Sequence, residues 1–228
     1  VPKGARPPKN RPGGILIALE GCDGSGKSTH ASLLLRHLRR QGEAAHLSRW
    51  NSSPTVHPVI SRGKKTRRLF STSYSLVHAA DLADRYEREI SPRLFLGQVV
   101  IVDRYTGTAL ARDGARGVPR AWIENLYSFA RRPDVTFLLR GPVELFRGRI
   151  RSHRAGMAFY ETGGDLHLAE SAEEGFLIFQ RRVAAIYDEI ALAEGWVVID
   201  ATTSLCRQQR LVRQTVEAVL EGVLTGVS

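Results

Sequence analysis

Ile15-Leu16-Ile17-Ala18-Leu19-Glu20-Gly21-Cys22-Asp23-Gly24-Ser25-Gly26-Lys27-Ser28-Thr29 carries three signals in one stretch. The apolar run from Ile15 to Leu19 reads as a buried strand. Residues 21–28 fit the phosphate-binding pattern GxxxxGK[ST], and Ser28 to Arg40 has helical periodicity. Strand, loop and helix in that order are the setting the pattern requires. Glycines 21, 24 and 26 let backbone N–H groups turn inward around phosphate oxygens, and the helix N-terminus adds positive potential. Lys27 can then reach the β- and γ-phosphates of a nucleoside triphosphate, and the Ser28 hydroxyl can ligate Mg2+.

The remaining composition suits one α/β domain of 228 residues. The net charge of +10 raises nucleic acid as a partner. The arginines are spread along the chain, however, and no run of them alternates with aromatics, so anionic small molecules explain the excess equally well and nucleic acid is not expected. Cys22 and Cys206 have no metal-type spacing and suggest a reducing compartment. No apolar run approaches the roughly 20 residues that span a bilayer, and the N-terminus lacks the apolar core of a secretory signal. A cytoplasmic location without membrane contact is the expectation. Residues 1–14 are rich in Pro, Gly and Lys/Arg and are expected to form a flexible basic tail, with 15–228 a single domain.

Downstream, Gly42 should stop the first helix and Ala44 to Trp50 reads as a second strand. Asn51 to Pro54 is turn chemistry. The basic segment Gly63 to Arg68 either faces phosphate or is solvated surface, and for Lys64 and Lys65 the solvated reading is preferred. Ser73 to Ile90 predicts a helix that Pro92 ends or kinks. Val99 to Val102 predicts a buried strand ending in Asp103-Arg104-Tyr105, where open α/β sheets bind ligands. Pro119 starts a helix to about Ala130, Val135 to Leu139 is a fourth strand, and Val143 to Arg151 is helical and basic. Arginines 147, 149, 151 and 154 precede Gly156, Gly163 and Gly164, which suits a mobile lid over polyphosphate at about 147–170. A helix over 171–193, a stop at Gly195, a strand over 196–200 and a helix over 205–224 complete the chain. Strands separated by helices predict a parallel sheet covered on both faces.

With these segments in hand, the chain resembles the thymidylate kinase family of P-loop nucleoside monophosphate kinases from about Gly14 to Thr203. The residues that carry the resemblance are Ala18-Leu19-Glu20-Gly21 running into Asp23 to Thr29, Ser48-Arg49, Asp103-Arg104-Tyr105 and Val198-Ile199-Asp200-Ala201-Thr202. The resemblance implies the P-loop NTPase fold with a five-stranded sheet in the order 2-3-1-4-5. It also implies Mg2+ and ATP as donor, a nucleoside monophosphate as acceptor, and a homodimer. Lys27 would hold the donor phosphates with Gly21, Gly24, Ser25 and Gly26, Ser28 the magnesium, and Thr29 the α-phosphate side. Asp23 would face the acceptor sugar and Asp103 would orient water on the metal. Arg104 would bind the acceptor phosphate, and Arg49 matches the family's arginine after the second strand. Arg149 would stack on adenine, while Arg151 or Arg154 would neutralise charge on the transferring group, with Ser25 fitting an arrangement in which the lid supplies that arginine.

The acceptor base pocket departs from the family pattern. The thymine-stacking Phe and carbonyl-reading Arg fall on His78 and Leu82, with Arg85 the neighbour able to replace the arginine. The family's Asn or Gln and sugar-screening Tyr fall near Ala109 and Arg112, and Thr108 joins the substrate-binding candidates. Conversion of dTMP and ATP to dTDP and ADP is the expected activity. A different acceptor on the same donor site, or a regulatory P-loop module without turnover, are the alternatives.

Overall fold

The computed structural model of the chain describes residues 13–153 and 156–222; the expected N-terminal tail lies almost wholly outside them. Five strands, β1 (Ile15–Gly21), β2 (Ala45–Arg49), β3 (Val99–Asp103), β4 (Val135–Arg140) and β5 (Val197–Asp200), form one parallel sheet in the order β2-β3-β1-β4-β5. This is the expected order. Every residue of β1 and β3 is buried, as continuous apolar runs require in a parallel sheet covered on both faces.

Alternation along β1 sorts the two cores. Ile15, Ile17 and Leu19 face α1 (Lys27–Arg40) and α9 (Leu205–Leu220) through Ala31, Leu34, Leu38, Val212 and Val216. Leu16 and Ala18 face the opposite layer, which includes α3 (Ser71–Arg85), α5 (Thr106–Gly114) and α6 (Arg120–Leu126) and packs Ala79, Leu82, Tyr105, Ala109 and Ile123 on the sheet. The β1 to β3 register pairs Leu19 with Asp103, and that of β2 to β3 pairs Arg49 with Asp103. The carboxyl ends of three strands therefore carry Gly21, Arg49 and Asp103 to one rim. The lid candidate, about 147–170, begins within α7 (Val143–His153), and α8 (Ala172–Glu194) packs on α7, capped by the Ser171 hydroxyl and stopped by Gly195 at φ 67°.

Several expected boundaries are corrected. Residues 57–65 form a helix, α2 (His57–Lys65), anchored by buried Ile60 and starting with proline in its first turn. Pro92 does not end the 71–95 helical run. Residues 86–90 form a π-helical turn in which the Ser91 N–H reaches Tyr86 O, and α4 (Ser91–Phe95) continues with Pro92 inside it. The widened turn accommodates the proline ring and its missing donor; Gly97 at φ 73° follows the end of the run. Helix α5 lacks a sequence assignment above, α6 stops at Leu126 rather than about Ala130, and α9 ends at Leu220 ahead of Gly222 at φ 75°. Among the described residues, no helix is long and apolar enough to cross a membrane.

Leu82 is fully buried against the sheet. Leu82→Ala should lower the unfolding free energy by about 2–5 kcal/mol, read as a lower urea midpoint at unchanged slope.

Candidate active site

The loop between β1 and α1 is held open by backbone conformations that glycine alone adopts without strain. Gly26 has φ 103° and Gly24 φ 81°, and a Cβ at Gly24 would lie 2.6 Å from Phe146 O of α7. Inside the loop the Lys27 ammonium donates to Cys22 O at 2.6 Å and Ser25 Oγ at 3.2 Å. Burial and then the Arg104 cation pull its pKa down to about 8, against the opposing pull of Asp23 and Asp103. Burial pushes the Cys22 thiol up to about 12. A cavity of about 520 Å3 opens over Gly24 to Thr29 and includes Arg149, whose guanidinium donates to Ser25 O and Ala201 O.

Ser28 Oγ donates to Asp103 Oδ2 at 2.5 Å. A hydroxyl and a carboxylate, both hard oxygen ligands, thus converge at the N-terminus of α1. That donor set fits Mg2+, which takes one or two protein oxygens beside phosphate and water. Groups of three or more His, Cys, Asp or Glu able to hold a metal are absent among the described residues.

Asp23 sits at the junction of both halves. One carboxylate oxygen accepts from Arg104 and the other from Arg112 and, at 2.9 Å, from Gln180 Nε2. Gln180 Oε1 accepts the Asp23 N–H at 3.1 Å, and its amide nitrogen also donates to Glu161 O at 2.9 Å. Burial pushes the Asp23 carboxyl up, but the Arg112 and Arg104 cations outweigh it and hold it well below the ordinary carboxylate range. Arg104 has φ 74°, a left-handed conformation costing about 1–3 kcal/mol in a non-glycine residue. Its N–H bonds to Leu19 O at 3.1 Å and its side chain bonds to Asp23.

Beneath this junction lies Glu20, fully buried. It accepts from Tyr105 N at 2.9 Å, Thr108 N at 3.1 Å, Thr108 Oγ1 at 2.6 Å and Tyr187 OH at 3.0 Å. Burial raises its pKa, and these donors pull against it. Glu20 fixes the start of α5 and so positions Arg104 and Arg112 on either side of that start.

A second cavity, of about 390 Å3, meets the first at Ser28 and Arg104. Arg49, Lys64, Arg104 and Arg112 line it with Asp23, Asp103 and Glu161, and its aromatic walls are Trp50, Tyr74, Phe159 and Tyr160. Four expected substrate residues are not in its wall. His78 is buried between Trp50 and Tyr74, with ring centroids at 5.8 and 4.0 Å, and its Nδ1 donates to Tyr74 O at 2.7 Å. Leu82 is core, because its face of α3 turns to the sheet. Arg85 is tied at 2.8 Å to both Asp81 and Ser48 Oγ, and Thr108 belongs to the Glu20 network. Arg151 pairs with exposed Glu173 at 3.2 Å, away from both cavities; Arg154 lies outside the described residues. Arg112, where the family's sugar-screening Tyr was expected, does line the cavity, while Lys64, Tyr74 and Gln180 take places in or beside the cleft that the preferred sequence reading did not give them. The solvated reading of Lys64 is thereby corrected: a short helix carries it inward.

The thymidylate kinase family model matches residues 19–212, most of the chain and all of the elements that build both cavities except the start of β1 and the end of α9. The chain belongs to the thymidylate kinase family. It is similar to the probable thymidylate kinase 2 of Saccharolobus solfataricus, 45% identical over 193 residues that cover 84% of this chain and 90% of that protein. The probable thymidylate kinase of Pyrobaculum aerophilum is 35% identical over 187 residues, covering 82% and 88%. The thymidylate kinase of Xanthomonas oryzae pv. oryzae is 34% identical over 156 residues, covering 68% and 69%. The chain is accordingly a nucleoside monophosphate kinase of a family that uses ATP as phosphate donor. Neither alternative function is favoured by these matches.

The two cysteines give a direct check on the loop. Cys206 is exposed and Cys22 buried with its thiolate disfavoured, so a thiol reagent at pH 7.5 should titrate one thiol in the native protein and two after denaturation.

Proposed function

We propose that this enzyme transfers the γ-phosphoryl group of Mg-ATP to dTMP, giving dTDP and ADP. The observation that carries the reading is the meeting of two cavities at Ser28 and Arg104, one built on the phosphate loop and one lined by four cations. Two phosphate-bearing molecules entering from either side would be brought together there, and proximity supplies much of the rate in such a transfer.

The residues divide by cavity. Gly21 to Thr29 would cradle the donor phosphates, Lys27 would neutralise them, and Arg149 would support the adenine. Ser28 and Asp103 would hold Mg2+, which offsets charge on the phosphates. Arg104 and Arg49 would bind the acceptor phosphate, with Asp23 holding Arg104 in place and facing the sugar. The acceptor oxygen is already anionic at neutral pH, since the second pKa of a phosphate monoester is about 6, so no general base is required. Charge stabilisation by Lys27 and Arg104 therefore does the chemistry. Residues 147–170 would act as a lid within a single domain, bringing Arg151 or Arg154 to the phosphates when it closes. Assembly as a homodimer in the cytoplasm belongs to the same reading and is supported by the family.

A coupled assay of purified protein with dTMP, ATP and Mg2+ should detect ADP and dTDP. Lys27→Ala should lower kcat by about a hundredfold or more. Absence of turnover with every nucleoside monophosphate would overturn the reading. Lys27 also gives a pH dependence. The protonated ammonium binds phosphate, and its pKa in the free protein is about 8. Calorimetric affinity for ATP should be flat below pH 8 and weaken as pH rises through it.

A further inference from the structure

Thymine and cytosine differ at C4, where one carries a carbonyl oxygen and the other an amino group. A cleft that selects thymine needs a donor at that point. The two α3 positions expected to read the base offer none to the cavity, because Leu82 is fully buried in the core and Arg85, buried and bound to Asp81 and Ser48, is not part of the cavity wall. The acceptor cavity has two ends. Ser28 and Arg104 mark the end shared with the donor cavity, and Lys64, Trp50, Tyr74, Phe159 and Tyr160 are among the residues that line the remainder. A monophosphate with its phosphorus at the shared end directs its base into the rest of the cavity, of whose wall Lys64 is a part.

Lys64 is equipped to meet it. The side chain projects from the last turn of α2, half-buried, with its ammonium 5.6 Å from the Tyr74 ring centroid. Among the described residues, no carboxylate lies within ion-pair distance of it. The neighbouring cations differ: Arg104 and Arg112 are bound to Asp23, and Arg116 to Asp165. Lys64 also has a fixed base. A Cβ at Gly63 would lie 2.8 Å from Leu69, whose N–H donates to Tyr160 OH at 3.0 Å, so the end of α2 is packed against the turn that closes the cleft. Burial lowers the Lys64 pKa, with Arg112 and Arg104 adding to it and Tyr74 and Asp23 opposing it, as expected for an ammonium facing into the protein.

We propose that Lys64 is the base-reading residue of the acceptor cleft, donating a hydrogen bond to the C4 carbonyl oxygen of thymine in place of the donor that α3 lacks at Leu82. The inference rests on the dTMP kinase reading above. An ammonium has three donors and no acceptor, so it accepts thymine and uracil and meets the cytosine amino group donor to donor.

The test compares wild type, Lys64→Met and Lys64→Arg with dTMP, dUMP and dCMP at saturating ATP. Lys64→Met should lower kcat/KM for dTMP and dUMP by about tenfold or more, mainly through KM, and leave dCMP within about twofold. Lys64→Arg, which keeps a donor, should retain the preference for dTMP over dCMP, and KM for ATP should not move in either variant. A loss equal for all three acceptors would put Lys64 on the phosphate and overturn the inference, as would an unchanged ratio of dTMP to dCMP. Lys64→Ala gives the same ratio if the methionine variant does not fold. A wild type that phosphorylates other monophosphates but none of these three would overturn both the dTMP reading and this inference; normal dTMP turnover with an unmoved ratio would overturn the inference alone.

Discussion

The ionised carboxylate of Asp23 is the interaction on which the cleft depends. It lies in the phosphate loop and binds a guanidinium from the end of β3, a guanidinium from α5 and an amide from α8. Each partner would be costly to bury alone, since an unpaired charge removed from water loses several kcal/mol of solvation. Together they cancel most of that cost, and the geometry that results places two arginines beside the phosphate loop. Gln180 extends the arrangement to Glu161 O, and Arg112 to Tyr160 O at 2.8 Å. The turn over the acceptor cavity is thus bonded to the same carboxylate complex as the donor loop.

Glu20 does for the backbone what Asp23 does for the side chains. It is the last strand residue before Gly21 and sits under the turn that leaves β3, where the first N–H groups of α5 have no helical partners. Its carboxylate accepts the Tyr105 N–H just ahead of α5 and the Thr108 N–H in its first turn. Strand register then finishes the placement: because β3 lies between β1 and β2, Asp103 is set level with Leu19 on one side and Arg49 on the other. A parallel sheet concentrates chemistry at its carboxyl rim by connectivity alone.

The fold was largely legible because its signals are local. The run from Ile15 to Leu19, the glycines of the loop and the Ser171 and Gly195 caps each encode their conformation within a few residues. The phosphate-loop cavity was legible for the same reason. The second cavity was not, because its wall is assembled from seven separated stretches of chain. Counting from Asp103 to His78 and Leu82 treats helix α3 as a known face, but only the packed sheet decides which side of α3 is core, and that side takes Leu82. Lys64 sits in a basic run whose composition reads as surface, and only burial of Ile60 turns it inward. Gln180 carries no motif at all, and Arg112 is marked only as a place where the family has a Tyr; their bonds to Asp23 exist only once Asp23 is buried beside them.

Arg104 makes the conflict between durability and use concrete. Its left-handed backbone is a conformation that glycine would adopt without strain, yet glycine would leave one Asp23 oxygen without its guanidinium partner and strip the shared rim of a cation. Selection for backbone ease and selection for anion capture therefore pull this one position in opposite directions. The enzyme stands at a compromise in which local discomfort is retained at the point where its two cavities touch.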